Sequence, residues 1–250
     1  MYEISKLLEE ANLIEKELAK ELFGILDFYK LTTNSYKTNT KLNLSFVENY
    51  KKKNKQDNQF ISQVINNENE KMNRYPNIVL KMGFIYAVAH YESFWSDIVR
   101  LIFKVNYRKF LNSKKTVTYK FLLDINDKKT IIENLIDKEV KDFGYKNIND
   151  QFESINENYK FNFEEEEGEN KWMESPNAIN YSKIGEIFAT RNLIMHNRGI
   201  VNRTYLNLVP NSEFNIEEER QISEKYMSDS IYLLGVTSNK IIEKLKSKYN

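Results

Sequence analysis

An all-α fold is what this sequence predicts, on three observations. Only 7 glycines and 3 prolines punctuate its 250 residues, too few for the frequent tight turns of a sandwich or barrel. Apolar residues recur three and four apart over long stretches, the spacing of one helical face. A 41% apolar share with 16 Tyr and 15 Phe suffices for one large, aromatic-rich core. The length suits a single domain over residues 1–250. We expect a helical extension over 1–75 and a helical bundle over 76–250, with an irregular insertion around 145–178.

The first helix is expected over residues 2–30, where Leu7, Leu8, Ala11, Ile14, Leu18, Leu22 and Leu26 share a face. Residues 31–45 are rich in Thr and Asn and read as a connection. An amphipathic stretch follows from Leu44 to Glu70, its Lys51–Lys55 run read as a solvated face. Pro76 sits where a helix favours beginning. From Ile78 to Lys109 runs the longest expected helix, apolar around nearly its whole circumference and therefore central. Its polar exceptions His90, Ser93, Asp97 and Arg100 share one stripe. Asp97 and Arg100, three apart, read as an intrahelical ion pair, and His90 as a satisfied polar residue. Glu92 lies off that stripe and is a candidate partner for Arg191.

Further helices are expected over Thr130–Phe143, stopped near Gly144, and over Tyr145–Asn158. Phe161–Pro176 reads as an exposed loop or short hairpin: Glu164–Glu167 is a solvated acidic run and Trp172 a loop anchor. Asn180 or Ser182 can cap a helix that ends with a left-handed turn around Asn197–Gly199. Val201–Phe214 reads as irregular, with an extended piece at Tyr205–Val209. A last helix is expected over Ile216–Lys248.

Composition excludes several functional classes. Without cysteine there is no disulfide and no thiolate zinc site. With two histidines, a metal site would rest mostly on carboxylates, and no cofactor is expected. No run approaches 18 apolar residues and Met1–Glu10 is not a secretory signal, so a cytoplasmic protein without a membrane partner is expected. A net charge of +1 means that any nucleic-acid binding must rest on a local patch.

The chemistry-bearing residues converge on Arg191-Asn192-Leu193-Ile194-Met195-His196-Asn197-Arg198-Gly199. With Ile184 at zero on a helical wheel, Ile187, Phe188 and Met195 fall at about 300°, 40° and 20° and form the apolar stripe. Arg191 falls at about 340°, in the middle of it. A guanidinium cannot be neutralised, so it must face a partner group, a ligand or another subunit. Asn192 and His196 are four apart, so the asparagine can orient the imidazole. Arg191 and His196 are separated by about 140°, which leans toward two copies lining one cleft about a two-fold axis. Between Lys183 and Arg203, four cations (Lys183, Arg191, Arg198, Arg203) face one carboxylate, Glu186. That local +3 suits a phosphate ligand.

These residue types fit RNA cleavage without a metal. Histidine can take the 2′-hydroxyl proton or protonate the leaving 5′-oxygen, and arginine can stabilise charge developing on phosphorus. The pattern R-N-x-x-x-H over Arg191–His196, followed by Asn197 and Gly199, resembles the signature of HEPN domains and is similar to the R-x4–6-H motif of their ribonuclease members. The Ile78–Lys109 helix with Tyr91-Glu92-Ser93-Phe94 also looks like the second helix of such bundles. The resemblance covers residues 78–110 and 180–247. It implies an antiparallel helical bundle with extra helices, a homodimer with both motifs in one cleft, and an endoribonuclease of the toxin or antiphage-effector kind, leaving 2′,3′-cyclic phosphate ends. It implies Arg191, His196 and Asn192 as catalytic, Asn197 and Glu92 as supporting, and Lys183, Arg198 and Arg203 as RNA-binding. An antitoxin or sensor protein stands as a further candidate partner. Arg198 occupies the place where toxins silenced by tyrosine modification carry tyrosine. Two other readings stand beside this one. One is a non-catalytic helical module binding RNA, a nucleotide or a protein. The other is a structural motif: a surface ion pair with a helix-terminal histidine favoured by the dipole.

Overall fold

The computed structural model describes residues 4–53, 58–112, 115–123, 125, 127–165 and 178–249. The protein is all-α. Its described helices are α1 (Ile4–Lys53), α2 (Asn58–Asn106), which runs on into a 3₁₀ turn at Tyr107–Asn112, α3 (Tyr119–Leu123), α4 (Lys128–Gly144), α5 (Ile148–Tyr159), α6 (Tyr181–Asn197), α7 (Arg203–Leu208) and α8 (Glu224–Tyr249). A two-residue parallel pair joins β1 (Glu164–Glu165) to β2 (Ala178–Ile179). Among the described residues no helix is long and apolar enough to cross a membrane.

The first two helices are longer than the sequence suggests. Residues 31–45 continue α1 rather than connecting two helices. The low helix propensity of Thr and Asn is overridden by packing on α2. Thr33 and Thr40 are buried, the Thr33 hydroxyl donates to the Tyr29 carbonyl at 2.7 Å, and the Tyr36 and Tyr75 rings lie 5.4 Å apart. Pro76 likewise sits inside α2 rather than at its start, so the boundary expected at residue 75 falls within one helix. The pairs Tyr36–Tyr75, Ile25–Gly83 and Glu21–His90 show the two helices running antiparallel.

The core belongs to both ends of the chain. Leu7, Ala11, Leu18, Leu22, Ile25 and Tyr29 of α1 join Phe84, Val88, Tyr91 and Trp95 of α2, and Met227, Ile231, Leu234 and Ile241 of α8, in one buried cluster. The first 26 residues of α1 are thus part of the bundle rather than an extension to it. Between Tyr29 and Leu80 that cluster has no member among the described residues, and the α1–α2 hairpin packs on itself.

Arg100 corrects the expected intrahelical pair. Its Nη1 donates to Asp137 on α4 rather than to Asp97, which ties α2 to α4. His90 Nε2 lies 3.9 Å from Glu21 and its ring is edge-on to Tyr86, a satisfied helix position as expected. Helices α4 and α5 begin where side chains cap them: Asp127 accepts from the Thr130 amide and Asn147 from the Asp150 amide. After α5, β1 pairs in parallel with β2, and most of the expected Phe161–Pro176 loop or hairpin lies outside the described residues. Phe161 and Phe163 are buried and stack at 5.6 Å, so its start belongs to the core. Gly168, Trp172, Pro176 and the second half of the Glu164–Glu167 run lie outside the described residues.

Near the C-terminus, residues 203–208 are helical rather than extended. Asn202 caps this turn by accepting from the Tyr205 amide, a signal that the alternating Tyr205-Leu206-Asn207-Leu208 pattern hides. The last helix starts at Glu224 rather than near 216. The preceding residues pair instead with the end of α6: Val201 N–H donates to Glu218 and Arg220 N–H to Gly199, both at 2.8 Å.

Candidate functional site

Helix α6 carries the motif and is capped at both ends as the sequence requires. Asn180 accepts from the Lys183 amide at 2.9 Å. At the other end Arg198 takes a left-handed conformation (φ 56°) and Gly199 another (φ 83°), with the Gly199 amide donating to the Leu193 carbonyl at 3.0 Å. Ile184, Ile187 and Phe188 are buried on the core side, and Ala189 and Leu193 bury a second side against Val201 and Tyr205. Met195, expected on the apolar stripe, is 54% exposed. It stands two turns beyond Phe188, past the edge of the core. The outward sector therefore presents Asn192, Met195 and His196 together.

Arg191 does lie on the sheltered side, its side chain only 16% exposed. Its partner comes from α2: Nη2 donates to Glu92 Oε2 at 2.6 Å. The two helices are aligned for this by the Tyr91–Phe188 ring contact at 6.1 Å, one residue before Glu92 and three before Arg191. The Phe188 ring also lies 5.9 Å below the guanidinium. Nε of Arg191 is buried without a hydrogen-bond partner. On the far side of α6, the Tyr226 hydroxyl of α8 donates to Thr190 Oγ1 at 3.2 Å, and burial pushes that phenol well above its ordinary range.

A cleft of about 360 Å³ opens beside the pair. Phe188 and Ile148 belong to its lining, with Glu92, Arg191 and Asn192 from the α2–α6 side and Tyr145, Lys146, Asn149 and Gln151 from the α4–α5 turn. A second hollow of about 330 Å³ shares Glu92, Gly144, Ile148, Gln151 and Phe188 and continues past Trp95 to Arg100 and Asp137. So Arg191, Asn192 and Glu92 are brought together on one cleft. His196 does not line it: it is exposed, about 7.5 Å further along the helix axis and about 140° around it.

The other site residues divide. No hydrogen bond joins Asn192 to His196 among the described residues. The Asn197 side-chain Nδ2 donates to the Ile200 carbonyl and closes the turn instead of supporting the imidazole. Arg198 and Arg203 are exposed. Lys183 lies 3.5 Å from Glu186, at the opposite end of α6 from His196. The local +3 is therefore diluted. Glu92 neutralises Arg191, Glu186 is shared by Lys183 and Arg220, and Glu217–Glu219 pack beside the end of the helix.

Arg220 is the residue that the periodicity passes over. It is 8% exposed, donates to Glu186 Oε1 at 2.9 Å, and lies over the rings of Phe214 at 4.6 Å and Tyr226 at 4.4 Å. It stands in an irregular segment, where no wheel applies. It fastens the 199–222 strap under α6 and so fixes the helix end that carries His196.

Fold and site together define an all-α protein with an arginine–carboxylate pair beside a polar cleft. No family model, curated protein or solved structure matches the chain.

Proposed function

We propose that the protein is an HEPN-type endoribonuclease, a homodimer that cleaves RNA without a metal and acts in the cytoplasm as a toxin or antiphage effector. The observation that carries this reading is Arg191, sheltered and oriented by Glu92 at a cleft, with His196 exposed on the same helix. A guanidinium tied through Nη2 is pre-positioned, and its Nη1 group stays available to a phosphate oxygen. In the reaction the 2′-oxygen attacks phosphorus and the bond to the 5′-oxygen breaks. His196 takes the 2′-hydroxyl proton or returns one to the leaving oxygen. Arg191 stabilises the charge that builds on the phosphoryl oxygens.

The angular offset of His196 from Arg191 is the reason for a second subunit. Exposed Met195, beside Asn192 and His196 on the outward sector, is an apolar surface that such a partner would cover. The compensation of Arg191 by Glu92 favours a second reading, a module that binds an RNA or nucleotide without turnover. Incubation of the purified protein with total RNA in EDTA, beside His196→Ala and Arg191→Ala, separates the two. The ribonuclease reading expects cleavage by the wild type and a loss of at least about 100-fold in each variant. Equal cleavage by all three proteins, or none by any, would refute it.

A further inference from the structure

Four carboxamides line the cleft beside Arg191: Asn147, Asn149, Gln151 and Asn192. The fold consumes two of them. Asn147 caps α5, and Gln151 accepts from the Trp95 indole at 2.9 Å while donating to the Lys146 carbonyl at 2.8 Å. The other two make no hydrogen bond among the described residues. Asn149 Oδ1 is buried with no hydrogen-bond partner, although the residue as a whole is half-buried and lines the cleft. Asn192 is exposed on the opposite wall. A buried acceptor left unmatched is costly, and one that borders a cleft can be satisfied by a partner that enters it.

Gly185 makes room for this amide. A Cβ at that position would lie 2.8 Å from Asn149 Nδ2, so a glycine inside α6, otherwise unfavourable there, lets the side chain lie against the helix. Presenting this buried acceptor to a ligand in the cleft requires a rotation about the last side-chain torsion of Asn149. Tyr145 lines the same cleft and is 77% exposed, an open aromatic ring at its edge. Phe188 and Ile148 supply apolar surface. The volume, about 360 Å³, lies at the small end of the range of roughly 300–1,000 Å³ for ligand pockets.

Amides that both donate and accept, a free aromatic face and an apolar surface recognise a flat, neutral, hydrogen-bonding ring rather than an anion. The anion's place is next to it, at Arg191. We propose that the cleft between α6 and the α4–α5 turn is a nucleobase subsite. An unpaired base is read there by Asn149 and Asn192 and stacked on Tyr145, and its phosphate meets Arg191. That the base comes from an RNA strand rests on the ribonuclease reading; a free nucleotide offers the same chemistry.

Isothermal titration with AMP, ribose 5-phosphate and a short 2′-deoxy-adenosine oligonucleotide tests this on the intact protein. AMP should bind about ten-fold tighter than ribose 5-phosphate, which lacks the base. An oligonucleotide binding tighter than AMP identifies a nucleic-acid strand as the source, and the reverse order identifies a free nucleotide. Asn149→Ala and Tyr145→Ala should each weaken AMP by about ten-fold and leave ribose 5-phosphate unchanged. Gly185→Ala, which displaces the Asn149 amide while adding a better helix former, should do the same in a folded protein. Equal affinities for AMP and ribose 5-phosphate, or no binding of either, would overturn the subsite. AMP binding without RNA cleavage would refute the ribonuclease reading and leave the subsite standing. Cleavage by a protein that does not distinguish AMP from ribose 5-phosphate would do the opposite.

Discussion

Truncating Glu92 to alanine strands a guanidinium that is 16% exposed and bonded to that carboxylate at 2.6 Å. Two unit charges 4 Å apart attract by about 4 kcal/mol at an effective dielectric of 20. Glu92 is itself 54% exposed, so water screens much of this attraction, and fully exposed pairs are worth only about 0–1 kcal/mol. The sheltered arginine and the short contact place this pair at the upper edge of that range. A double-mutant cycle of Glu92→Ala and Arg191→Ala, followed by urea unfolding, should return a coupling energy of about 1 kcal/mol. Glu92→Ala alone should lower the melting temperature by about 2–4 °C for a chain of this size. Asn192, which lines the same cleft without bonding Arg191, serves as the control: Asn192→Ala should show no coupling to Glu92. A Glu92–Arg191 coupling indistinguishable from that control would mean that the carboxylate does not hold the arginine, and the pre-positioning argument would fail.

Arg220→Met removes both the charge that Glu186 faces and the guanidinium that lies over Phe214 and Tyr226; with Lys183 still 3.5 Å from Glu186, urea unfolding should register a loss of about 2–3 kcal/mol. Arg198→Gly relieves a non-glycine residue at φ 56° and should stabilise the fold by about 0.5–1 kcal/mol in thermal melts. If Arg198 contacts RNA, the same variant should bind it more weakly and with a shallower salt dependence. Burial raises the Asp97 carboxyl above its ordinary range, against the opposing pull of Arg100 and Lys104 and with a smaller push from Glu17. The folded state therefore holds this proton more tightly than the unfolded chain. Its stability should fall as pH rises from the ordinary carboxylate range through the raised value and stay lower above it. Asp97→Asn should melt higher than wild type at pH 7, with the gap closing toward pH 3.

Where periodicity and capping coincide, the sequence is readable. Helices α4, α5 and α6 stand within three residues of their expected limits, and Asp127, Asn147 and Asn180 each sit one residue before the helix they cap. The length of α1 was not legible, since Thr33, Tyr36 and Thr40 form helix only through contacts with a partner helix 40 or so residues away. Pro76 misleads for the same reason: the penalty of a proline inside a helix is borne by the packing of α2 on both sides of it. At the site, the position of Arg191 among apolar residues required a partner, and Glu92 supplies it. His196 had no such constraint, since an exposed helix end accepts many side chains. The cleft itself depends on how the α4–α5 turn meets Gly185, a long-range contact that no local pattern encodes.

The end groups of cleaved RNA test the central claim most directly. Wild-type protein incubated with a defined single-stranded RNA in EDTA, its products resolved by mass spectrometry, should yield 2′,3′-cyclic phosphate and 5′-hydroxyl ends. Arg191→Ala and His196→Ala, folded by the same melting criterion, should leave the RNA intact. Ends bearing 5′-phosphate, or the same products from either variant, would contradict the account.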